Sequence, residues 1–364
     1  MFIMLSVVVL FILTVYLLQI YQWKKGWDKI DGNTKMVDIP ATGVSIVVCC
    51  RNEEKSLSVL LNALKNQSYK SFELILVDDC SSDATLAVMH QYCNDFQLCK
   101  VIQNTSSGKK AALRAGIAAT SGKLILLTDA DCLPGSQWVE TMISCLLQKN
   151  ADLLLGPVAF STDGSCWQNL QQSEFCALVA SGMAAAGNNQ TLYGNAANLA
   201  FTRALWNEAS GNLNDDFASG DDVFLIQFAK KNRKSICVCK DERAIVQTFP
   251  KNNLKEFFNQ RRRWLSKSPG YTDAYLIFVT ILIASINLLL VALLLLALFK
   301  PVYAYIAAVL FVSKLLADHA WLQYVRPFFN QKNKLMINLL LAVLYPAYVL
   351  ITGILAFTGD RKKW

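Results

Sequence analysis

The chain has 364 residues, of which 54% are hydrophobic, and a formal net charge of +8 at pH 7. The length is enough for one large domain with accessory segments, and the apolar content exceeds that of an ordinary soluble protein. No nucleic-acid-binding motif accompanies the basic residues, and many of them lie beside apolar segments, as Lys24 and Lys25 do. This placement favours anionic lipid headgroups over nucleic acid as partners of the positive charge.

Two regions are apolar enough to lie in a membrane. Residues 1–22 form an almost uncharged run without the small-residue cleavage site of a signal peptide, so we predict a retained transmembrane helix. Residues 274–358 are again mostly apolar and predict several transmembrane or interfacial helices. Within them, Lys314 and Asp318 are four residues apart on one helical face, and we expect them to pair inside the bundle.

Between these regions, residues 40–270 have the composition of a soluble domain in which β and α patterns alternate. Apolar, β-branched runs predict buried strands over residues 43–50, 72–77, 100–103 and 123–128, each followed by polar or charged residues. Such alternation predicts an α/β domain with a mostly parallel sheet and a ligand crevice along the carboxyl ends of its strands.

The second half of this domain has a less regular pattern. It predicts a further strand over residues 152–158 and a helix over residues 167–185. Residues 187–195 are rich in glycine and asparagine and predict a loop.

Two carboxylates, Asp129 and Asp131, close the fourth predicted strand. Alternation along an extended chain points both side chains to the same side. Hard oxygen ligands of this kind suit Mg²⁺ or Mn²⁺ and leave coordination positions for substrate phosphates. A polar turn after a strand is the alternative interpretation, because aspartate is common in turns.

Polar motifs also follow the first three strands and recur farther along the chain. They are Arg51-Asn52-Glu53, Asp78-Asp79, Gly108-Lys109, Asp221-Asp222 and the run from Gln260 to Trp264. The Gly-Lys spacing differs from that of a phosphate loop, which disfavours a nucleotide triphosphatase. The Asp pair could instead favour a helix N-terminus, and the last run could be a basic-aromatic membrane anchor.

In this order the motifs resemble those of the family 2 glycosyltransferases, which have the GT-A fold, a Rossmann-like nucleotide-sugar-binding domain with a mostly parallel mixed sheet. The resemblance covers roughly residues 43–265 and implies a divalent cation, Mg²⁺ or Mn²⁺, held by Asp129 and Asp131. It implies a nucleotide-sugar donor, a UDP-sugar rather than a GDP-sugar, and leaves open which of Asp78 and Asp79 meets the base. The donor would be contacted by Arg51, Asn52, Glu53, Asp78, Asp79, Lys109, Asp129 and Arg263.

The same resemblance assigns roles on the acceptor side. Asp222 matches the general base of the family, and Asp221 stands where the family usually has glutamate. Gln260 and Trp264 would contact the acceptor, and Arg263 the donor diphosphate. These residue types suit those roles, since indole faces match sugar C–H faces and guanidinium forks match phosphate oxygens.

The function implied is that of an inverting, metal-dependent hexosyl- or N-acetylhexosaminyltransferase with a lipid-linked or glycan acceptor. One alternative is a processive β-polysaccharide synthase of the cellulose or poly-N-acetylglucosamine type, which the Gln-x-x-Arg-Trp spacing suggests. Another is a non-catalytic membrane scaffold that only binds sugar nucleotides. A nucleotidyltransferase is disfavoured by the run from Gln260 to Trp264.

The location expected is a bacterial inner membrane with the catalytic domain in the cytoplasm, because Lys24, Lys25 and the arginines at 261–263 favour the inside. Three further full crossings would leave the basic residues 361–363 outside, so the number of crossings stays open. The eleven cysteines include no Cys-x-x-Cys pair, and we predict that they are reduced, as for Cys49, Cys50, Cys237 and Cys239 in apolar strand-like runs.

Overall fold

The computed structural model describes residues 2–39, 43–106, 108–212, 221–332 and 334–358. Over these residues the chain forms two compact units. The helical unit comprises the described parts of residues 1–28, 162–192 and 250–360, and the sheet unit those of residues 29–161 and 193–249. Each unit is therefore assembled from segments that are separated in the sequence.

The strands of the sheet unit are β1 (Val44–Cys50), β2 (Phe72–Asp78), β3 (Cys99–Gln103), β4 (Leu124–Asp129), β5 (Leu133–Pro134), β6 (Leu153–Leu155), β7 (Val158–Phe160), β8 (Leu199–Thr202), β9 (Ile236–Val238) and β10 (Val246–Thr248). Its helices are α2 (Leu57–Lys65), α3 (Thr85–Cys93), α4 (Lys109–Ala119), α5 (Trp138–Gln148), α7 (Arg203–Ala209) and α8 (Asp221–Lys231). The helices of the helical unit are α1 (Phe2–Lys29), α6 (Cys166–Gly187), α9 (Leu254–Leu265), α10 (Ala274–Ala297), α11 (Val302–Val325) and α12 (Leu335–Thr358).

The main sheet has seven strands in the order β3-β2-β1-β4-β8-β6-β9. The four strands predicted from the first apolar runs are confirmed, and they are mutually parallel. Side chains such as Ile46, Leu74 and Leu126 are completely buried, which explains why these strands are continuously apolar rather than alternating. Antiparallel β8 joins β4 to β6, so the sheet is mixed.

The strand predicted over residues 152–158 is wrong as a single element, because the chain divides it at Gly156. β6 belongs to the main sheet, whereas β7 belongs to a second sheet in the order β5-β10-β7. A Cβ on Gly156 would lie 2.2 Å from the side-chain carbon of Asn198. The Asn198 amide is buried there, donating to the carbonyls of Pro157 and Ala244 and accepting from Trp138 Nε1 at 2.9 Å. The close approach of this amide requires glycine and separates the two strands.

Glu73 ties three segments together at the amino end of the parallel strands. Its Oε2 accepts hydrogen bonds from Ser45 Oγ at 2.8 Å and from the Ser121 backbone N–H at 2.7 Å, and its Oε1 lies 2.9 Å from Lys100 Nζ. Burial raises the pKa of Glu73, but these donors outweigh it and lower the pKa to about 2. The carboxylate therefore holds β1, β3 and the segment before β4 onto β2.

A disulfide joins Cys93, the last residue of α3, to Cys99, the first residue of β3. The prediction of reduced cysteines is therefore wrong for this pair, whereas Cys49, Cys50, Cys237 and Cys239 are not joined in a disulfide. The short return from helix to strand places the two Cα atoms 5.4 Å apart, within the range that a disulfide spans.

The helical unit contains the predicted apolar helices. Within the described residues, four helices are long and apolar enough to cross a membrane, over Ile3–Lys29, Ala274–Ala297, Val302–Phe329 and Leu335–Leu355. The first extends past its predicted end at residue 22. α1, α10 and α11 share an apolar core that includes Leu13, Ile286 and Leu310.

The predicted pair of Lys314 and Asp318 is confirmed, with Lys314 Nζ 2.5 Å from Asp318 Oδ2. The Tyr16 hydroxyl also donates to the Asp318 carboxylate, so α1 is fastened to α11 by this pair.

We expect Glu73→Gln to lower the free energy of unfolding at pH 7 by about 2–3 kcal/mol, because the buried amide cannot accept all of these hydrogen bonds. The folded pKa lies below the unfolded value of about 4.3, so the carboxylate stabilises the protein above pH 4.3 and this contribution is lost as the pH falls through about 2. The difference in stability between parent and variant should therefore halve at about pH 3.

Thermal unfolding of the detergent-purified protein between pH 3 and pH 7 checks this expectation. Glu208→Gln removes a carboxylate from the half-exposed pair with Lys234 and should change stability by less than about 1 kcal/mol. A Glu73→Gln effect that is as small as this, or that does not depend on pH, would contradict the assignment.

Candidate active site

Three parallel strands bring the predicted site residues of the sheet unit to one edge. In the sheet register, Cys50 of β1 lies beside Asp78 of β2, and Cys49 lies beside Asp129 of β4. The residues that follow these strands therefore emerge side by side. In open α/β sheets this edge is where ligands bind.

The loop after β1 is fastened to the loop after β2. Asn52 has a φ of +57°, a left-handed conformation that asparagine tolerates better than most residues. Its Oδ1 accepts a hydrogen bond from the Ser82 backbone N–H at 2.8 Å, and the Glu53 backbone N–H donates to Thr85 Oγ1 at 2.7 Å. The positions of Asn52 and Glu53 are thus set by the chain that follows Asp79.

The two adjacent aspartates differ in what surrounds them. Asp79 is completely buried and accepts from Asn104 Nδ2 at 2.8 Å and from the Gly108 backbone N–H, with Arg51 Nη1 3.8 Å from its Oδ2. Asp78 accepts from the Ser81 backbone N–H through Oδ2, but its Oδ1 is buried without a hydrogen-bond partner among the described residues. Asp79 holds the loops together, and Asp78 retains an acceptor oxygen at the strand edge.

Lys109 begins α4 directly after Gly108, whose φ of +131° lies in a region that favours glycine. The Lys109 Nζ lies 2.7 Å from Asp129 Oδ1, and both side chains are partly exposed. The structure thus places Lys109 beside the carboxylate that ends β4. The Lys109 ammonium and the Asp129 carboxylate are therefore neighbours at the carboxyl ends of the strands.

The backbone after Asp129 turns instead of continuing as a strand. The Cys132 N–H donates to the Asp129 carbonyl at 3.1 Å, and β4 ends at Asp129. The expectation of extended backbone through Asp131 is therefore wrong, because residues 130–131 lie in a turn, and the alternation of a strand does not set the directions of the two carboxylates. Asp131 is partly exposed within that turn, next to the buried Cys132.

The donor set at this turn suits a hard divalent cation. Within the described residues, no group of three histidine, cysteine, aspartate or glutamate side chains gathers as a metal site. Mg²⁺ in phosphate-transferring sites is held by one or two carboxylates and takes further oxygens from substrate phosphates and water. Asp129 and Asp131 fit that mode of binding, in which the cation arrives with a phosphorylated ligand.

The predicted acidic pair begins α8, as expected. The Asp222 side chain is partly exposed, and its Oδ1 accepts from the Val223 N–H at 2.9 Å. The side chain of Asp221 lies outside the described residues. Lys110 Nζ lies 5.0 Å from the ring centroid of Phe224, so the first turn of α8 packs against the first turn of α4. Lys110, for which the sequence predicts no role, thus joins the beginning of α4 to the beginning of α8.

The run from Gln260 to Trp264 lies on α9 in the helical unit. Within this run Arg261 is 2% exposed and forms an ion pair with Glu174 of α6 at 2.5 Å. The guanidinium lies 4.2 Å from the Trp264 ring centroid, and its Nη1 donates to Gln260 Oε1 at 3.0 Å. Burial lowers the pKa of Arg261, but the Glu174 charge outweighs it and leaves the pKa raised.

Arg261 is the residue that the sequence interpretation missed. Arg263 is exposed and Trp264 is half-buried, whereas Arg261, an unspecified position of the Gln-x-x-Arg-Trp spacing, is buried. The spacing of Phe257, Arg261 and Trp264 puts them on one helical face, and the guanidinium stacks between the two rings. This spacing is the feature of the sequence that indicates a buried position for Arg261.

Comparison with known families matches residues 45–208 to the model of Glycosyl transferase family 2. Two relatives are glycosyltransferase AglE of Haloferax volcanii, 31% identical over 121 residues, and dolichyl-phosphate beta-glucosyltransferase of Mus musculus, 36% identical over 105 residues. These matches cover 32% and 26% of this chain. They span 40% and 32% of the relatives' own lengths.

One solved structure is similar along nearly the whole chain. Mannosyltransferase PcManGT from Pyrobaculum calidifontis, solved in complex with GDP-Man and Mn²⁺, is 16% identical with a TM-score of 0.57. The similarity covers 98% of this chain and 96% of that one. The mixed, mostly parallel sheet described above is accordingly that of the GT-A fold.

We expect Arg261→Ala to destabilise the protein by about 3–5 kcal/mol, because it leaves the Glu174 carboxylate buried without its cation. Thermal unfolding in detergent should show a Tm lowered by more than about 5 °C. The exposed neighbour Arg262 provides the control, and Arg262→Ala should leave the Tm within about 1 °C.

A double-mutant cycle with Glu174→Gln isolates the pair. Removing the carboxylate charge first should reduce the effect of Arg261→Ala by more than half. Equal effects in the two backgrounds would mean that packing on Phe257 and Trp264, not the ion pair, keeps Arg261 in place.

Proposed function

Because residues 45–208 match the model of Glycosyl transferase family 2, we propose that this chain is a membrane-anchored glycosyltransferase. It moves a hexosyl or N-acetylhexosaminyl group from a nucleotide-sugar donor to a lipid-linked or glycan acceptor. The observation that carries the proposal is the common edge of β1, β2 and β4, where Asp78, Asp129 and Lys109 come together. The four apolar helices support an acceptor that resides at a membrane.

The nucleoside of the donor is proposed to bind at the ends of β1 and β2. Asp78 is the better candidate for the base, because its buried Oδ1 lacks a hydrogen-bond partner among the described residues, whereas Asp79 is engaged by Asn104 and Gly108. Arg51, Asn52 and Glu53 complete this half of the pocket. This assignment refines the two equal candidates that the sequence left open.

The diphosphate is proposed to bind beside the turn after β4. Asp129 and Asp131 would hold Mg²⁺ or Mn²⁺, which when bound offsets the negative charge that grows on the departing nucleoside diphosphate. Lys109 lies on Asp129 and adds a second positive charge there. Arg263 is exposed on α9 and is the candidate for a further contact to the phosphates.

Asp222 is proposed to act as the general base, supported by Asp221. It would take the proton of the acceptor hydroxyl as that oxygen bonds to the anomeric carbon and the bond from this carbon to the diphosphate breaks. A single displacement of this kind inverts the configuration, unlike the two-step route through a covalent intermediate. Gln260 and Trp264 would position the acceptor, the indole by stacking on a sugar face.

The division of labour along the chain is proposed as follows. Residues 1–22 anchor the protein, residues 40–270 catalyse the transfer, and residues 274–358 form membrane or interfacial helices. The basic residues Lys24 and Lys25 support a catalytic domain on the cytoplasmic side, in a bacterial inner membrane. Nucleotide sugars made in the cytoplasm would reach the site directly.

The processive alternative is favoured by one observation, the Gln-x-x-Arg-Trp spacing on α9. The four candidate spans found among the described residues favour transfer of single sugars, because an extruded polymer requires an enclosed path, which oligomerisation would then have to supply. Mass spectrometry of the product distinguishes the two: one added sugar per acceptor indicates single transfer, and a ladder of lengths indicates polymerisation.

The first test uses detergent-purified protein with Mn²⁺ or Mg²⁺ and a panel of UDP- and GDP-sugars, with release of nucleoside diphosphate as the readout. We expect one donor to be turned over only with metal. Asp222→Asn should lower kcat by about 10²–10⁴-fold through loss of the base, and Asp131→Asn should lower it by at least about 10²-fold. Asp95→Asn, at an exposed pair with Lys65, should leave kcat unchanged.

Silence across the panel, together with no metal-dependent donor binding in a thermal-shift assay, would overturn the transferase proposal. Binding of one donor that all variants retain, without turnover on any acceptor, would favour the non-catalytic scaffold.

The two neighbouring aspartates give a matched pair of variants. Asp78→Asn should weaken donor binding by about tenfold or more, equivalent to about 1.4 kcal/mol, with little change in Tm. Asp79→Asn should lower the free energy of unfolding by about 1–3 kcal/mol, because it disturbs a buried acceptor of several hydrogen bonds. Isothermal titration calorimetry and thermal unfolding measure the two effects, and the reverse pattern would exchange their roles.

A further inference from the structure

Arg326 is a buried cation in the helical unit, and no carboxylate among the described residues forms an ion pair with it. It follows α11 and begins a short helical turn, Arg326–Phe329, with a side chain that is 2% exposed. Its Nη2 donates to Ser173 Oγ at 2.8 Å and to Asn338 Oδ1 at 2.6 Å. Its Nε and Nη1 are also buried, but they have no hydrogen-bond partner among the described residues. Half of the guanidinium fork is therefore unused.

The contrast with Arg261 makes the situation of Arg326 unusual. Arg261 is equally buried and is neutralised by Glu174. Arg326 forms no ion pair with any carboxylate that the structure describes. A buried charge that lacks both a counter-charge and part of its hydrogen bonds is strongly unfavourable, so its presence indicates a missing partner.

A second cation lies beside Arg326 and increases the imbalance. The half-buried Lys334 precedes α12, and its Nζ donates to Asn169 Oδ1. Burial lowers the pKa of Lys334, and the positive charges of Arg326 and Lys332 lower it further. The Asn338 amide adds no negative charge, and its Nδ2 pairs with His319 Nδ1 at 3.1 Å. An anion bound here would offset the positive charges of both Arg326 and Lys334.

The cations lie at the level where lipid headgroups are found. Arg326 is close to the end of the candidate span Val302–Phe329, and Lys334 directly precedes the span Leu335–Leu355. Trp27, close to the end of the first span, packs against Phe328 and Phe329 with ring centroids 5.4 and 6.3 Å apart. Tryptophan near the end of a span is typical of the membrane–water boundary.

We propose that Arg326 and Lys334 form a binding site for the phosphate group of a membrane amphiphile. A guanidinium fork and a neighbouring ammonium are the groups that proteins use for phosphate, and no described carboxylate competes for them. The position at the boundary suits a phosphate whose hydrocarbon chain lies among the helices. This site does not depend on the proposed transferase activity, because it concerns binding at residues that take no part in the chemistry above.

The test uses the full chain in a neutral maltoside detergent and follows thermal unfolding while mixed micelles are titrated in. Three probes separate the possible sources of the anion: dioleoyl phosphatidic acid, dioleoylglycerol with the same chains but no phosphate, and inorganic phosphate without chains. We expect a saturable rise in Tm with phosphatidic acid alone at matched concentrations. Native mass spectrometry should then show one retained phosphatidic acid per chain.

Variants assign the effect to the site. Lys334→Gln and Arg326→Gln should each weaken the apparent affinity for phosphatidic acid by about tenfold or more. Lys300→Gln makes the same change of charge at an exposed lysine between α10 and α11 and should leave the affinity unchanged. If Arg326→Gln does not fold, Arg326→Lys and Lys334→Gln still decide the question, since the former keeps the charge and should retain part of the affinity.

Several outcomes would overturn the proposal. An equal Tm shift with dioleoylglycerol would assign the effect to the hydrocarbon chains. Equal weakening by Lys300→Gln would assign it to general surface charge, and the absence of any saturable shift would leave no site. A shift with inorganic phosphate that matches phosphatidic acid would overturn the lipid source and identify a soluble phosphate as the ligand.

Discussion

The parallel register of β1 with β2 and β4 is the constraint on which the sheet unit depends. Because Cys50 lies beside Asp78 and Cys49 beside Asp129, the polar residues that follow three separate strands emerge as neighbours. Glu73 at the opposite end of β2 secures β1 and β3 through Ser45 and Lys100. The apolar strands thus form the buried core of the sheet. The polar groups at their amino ends stabilise the fold, and those at their carboxyl ends face the proposed ligand.

The helical unit depends in a similar way on a small number of buried charges. Arg261 and Glu174 connect α9 to α6, and Lys314 and Asp318 connect α11 to the Tyr16 hydroxyl of α1. Each of these cations has a carboxylate within 2.5 Å. Arg326 is the exception, which is why it stands apart as a site for an external anion. A buried cation with a carboxylate partner is therefore structural, whereas one without such a partner among the described residues is a candidate for ligand binding.

Much of the sheet could be predicted from the sequence because the first four strands are continuous apolar runs, each followed by a polar motif. The parallel order then follows from the alternation with helices. The split at Gly156 could not be predicted, because it depends on the amide of Asn198, which is remote in the sequence. The turn after Asp129 was missed for a related reason: the alternation of side chains holds only while the backbone stays extended.

The run from Gln260 to Trp264 shows the same limit at the level of single residues. The run of three arginines at 261–263 does not itself show which one is buried, and the ion pair of Arg261 with Glu174 joins residues that are distant in the sequence. Asp78 and Asp79 are likewise adjacent and identical in type. Their carboxylates differ in surroundings because the Asn104 side-chain amide and the Gly108 backbone N–H bond to the carboxylate of Asp79 and not to that of Asp78.

The interleaving of the two compact units has a consequence for how the protein is made. Residues 162–192 belong to the helical unit, but they are synthesised between two segments of the sheet unit, and residues 250–273 precede the helices with which they form a unit. Neither unit is complete until the ribosome has passed well beyond its first segment, so much of the tertiary structure must form late in translation. A fragment ending near residue 270 would leave α6 and α9 without α12, where Tyr348 packs against Phe257 and donates to Glu174. The boundary between soluble and membrane composition is therefore a poor place to cut this chain.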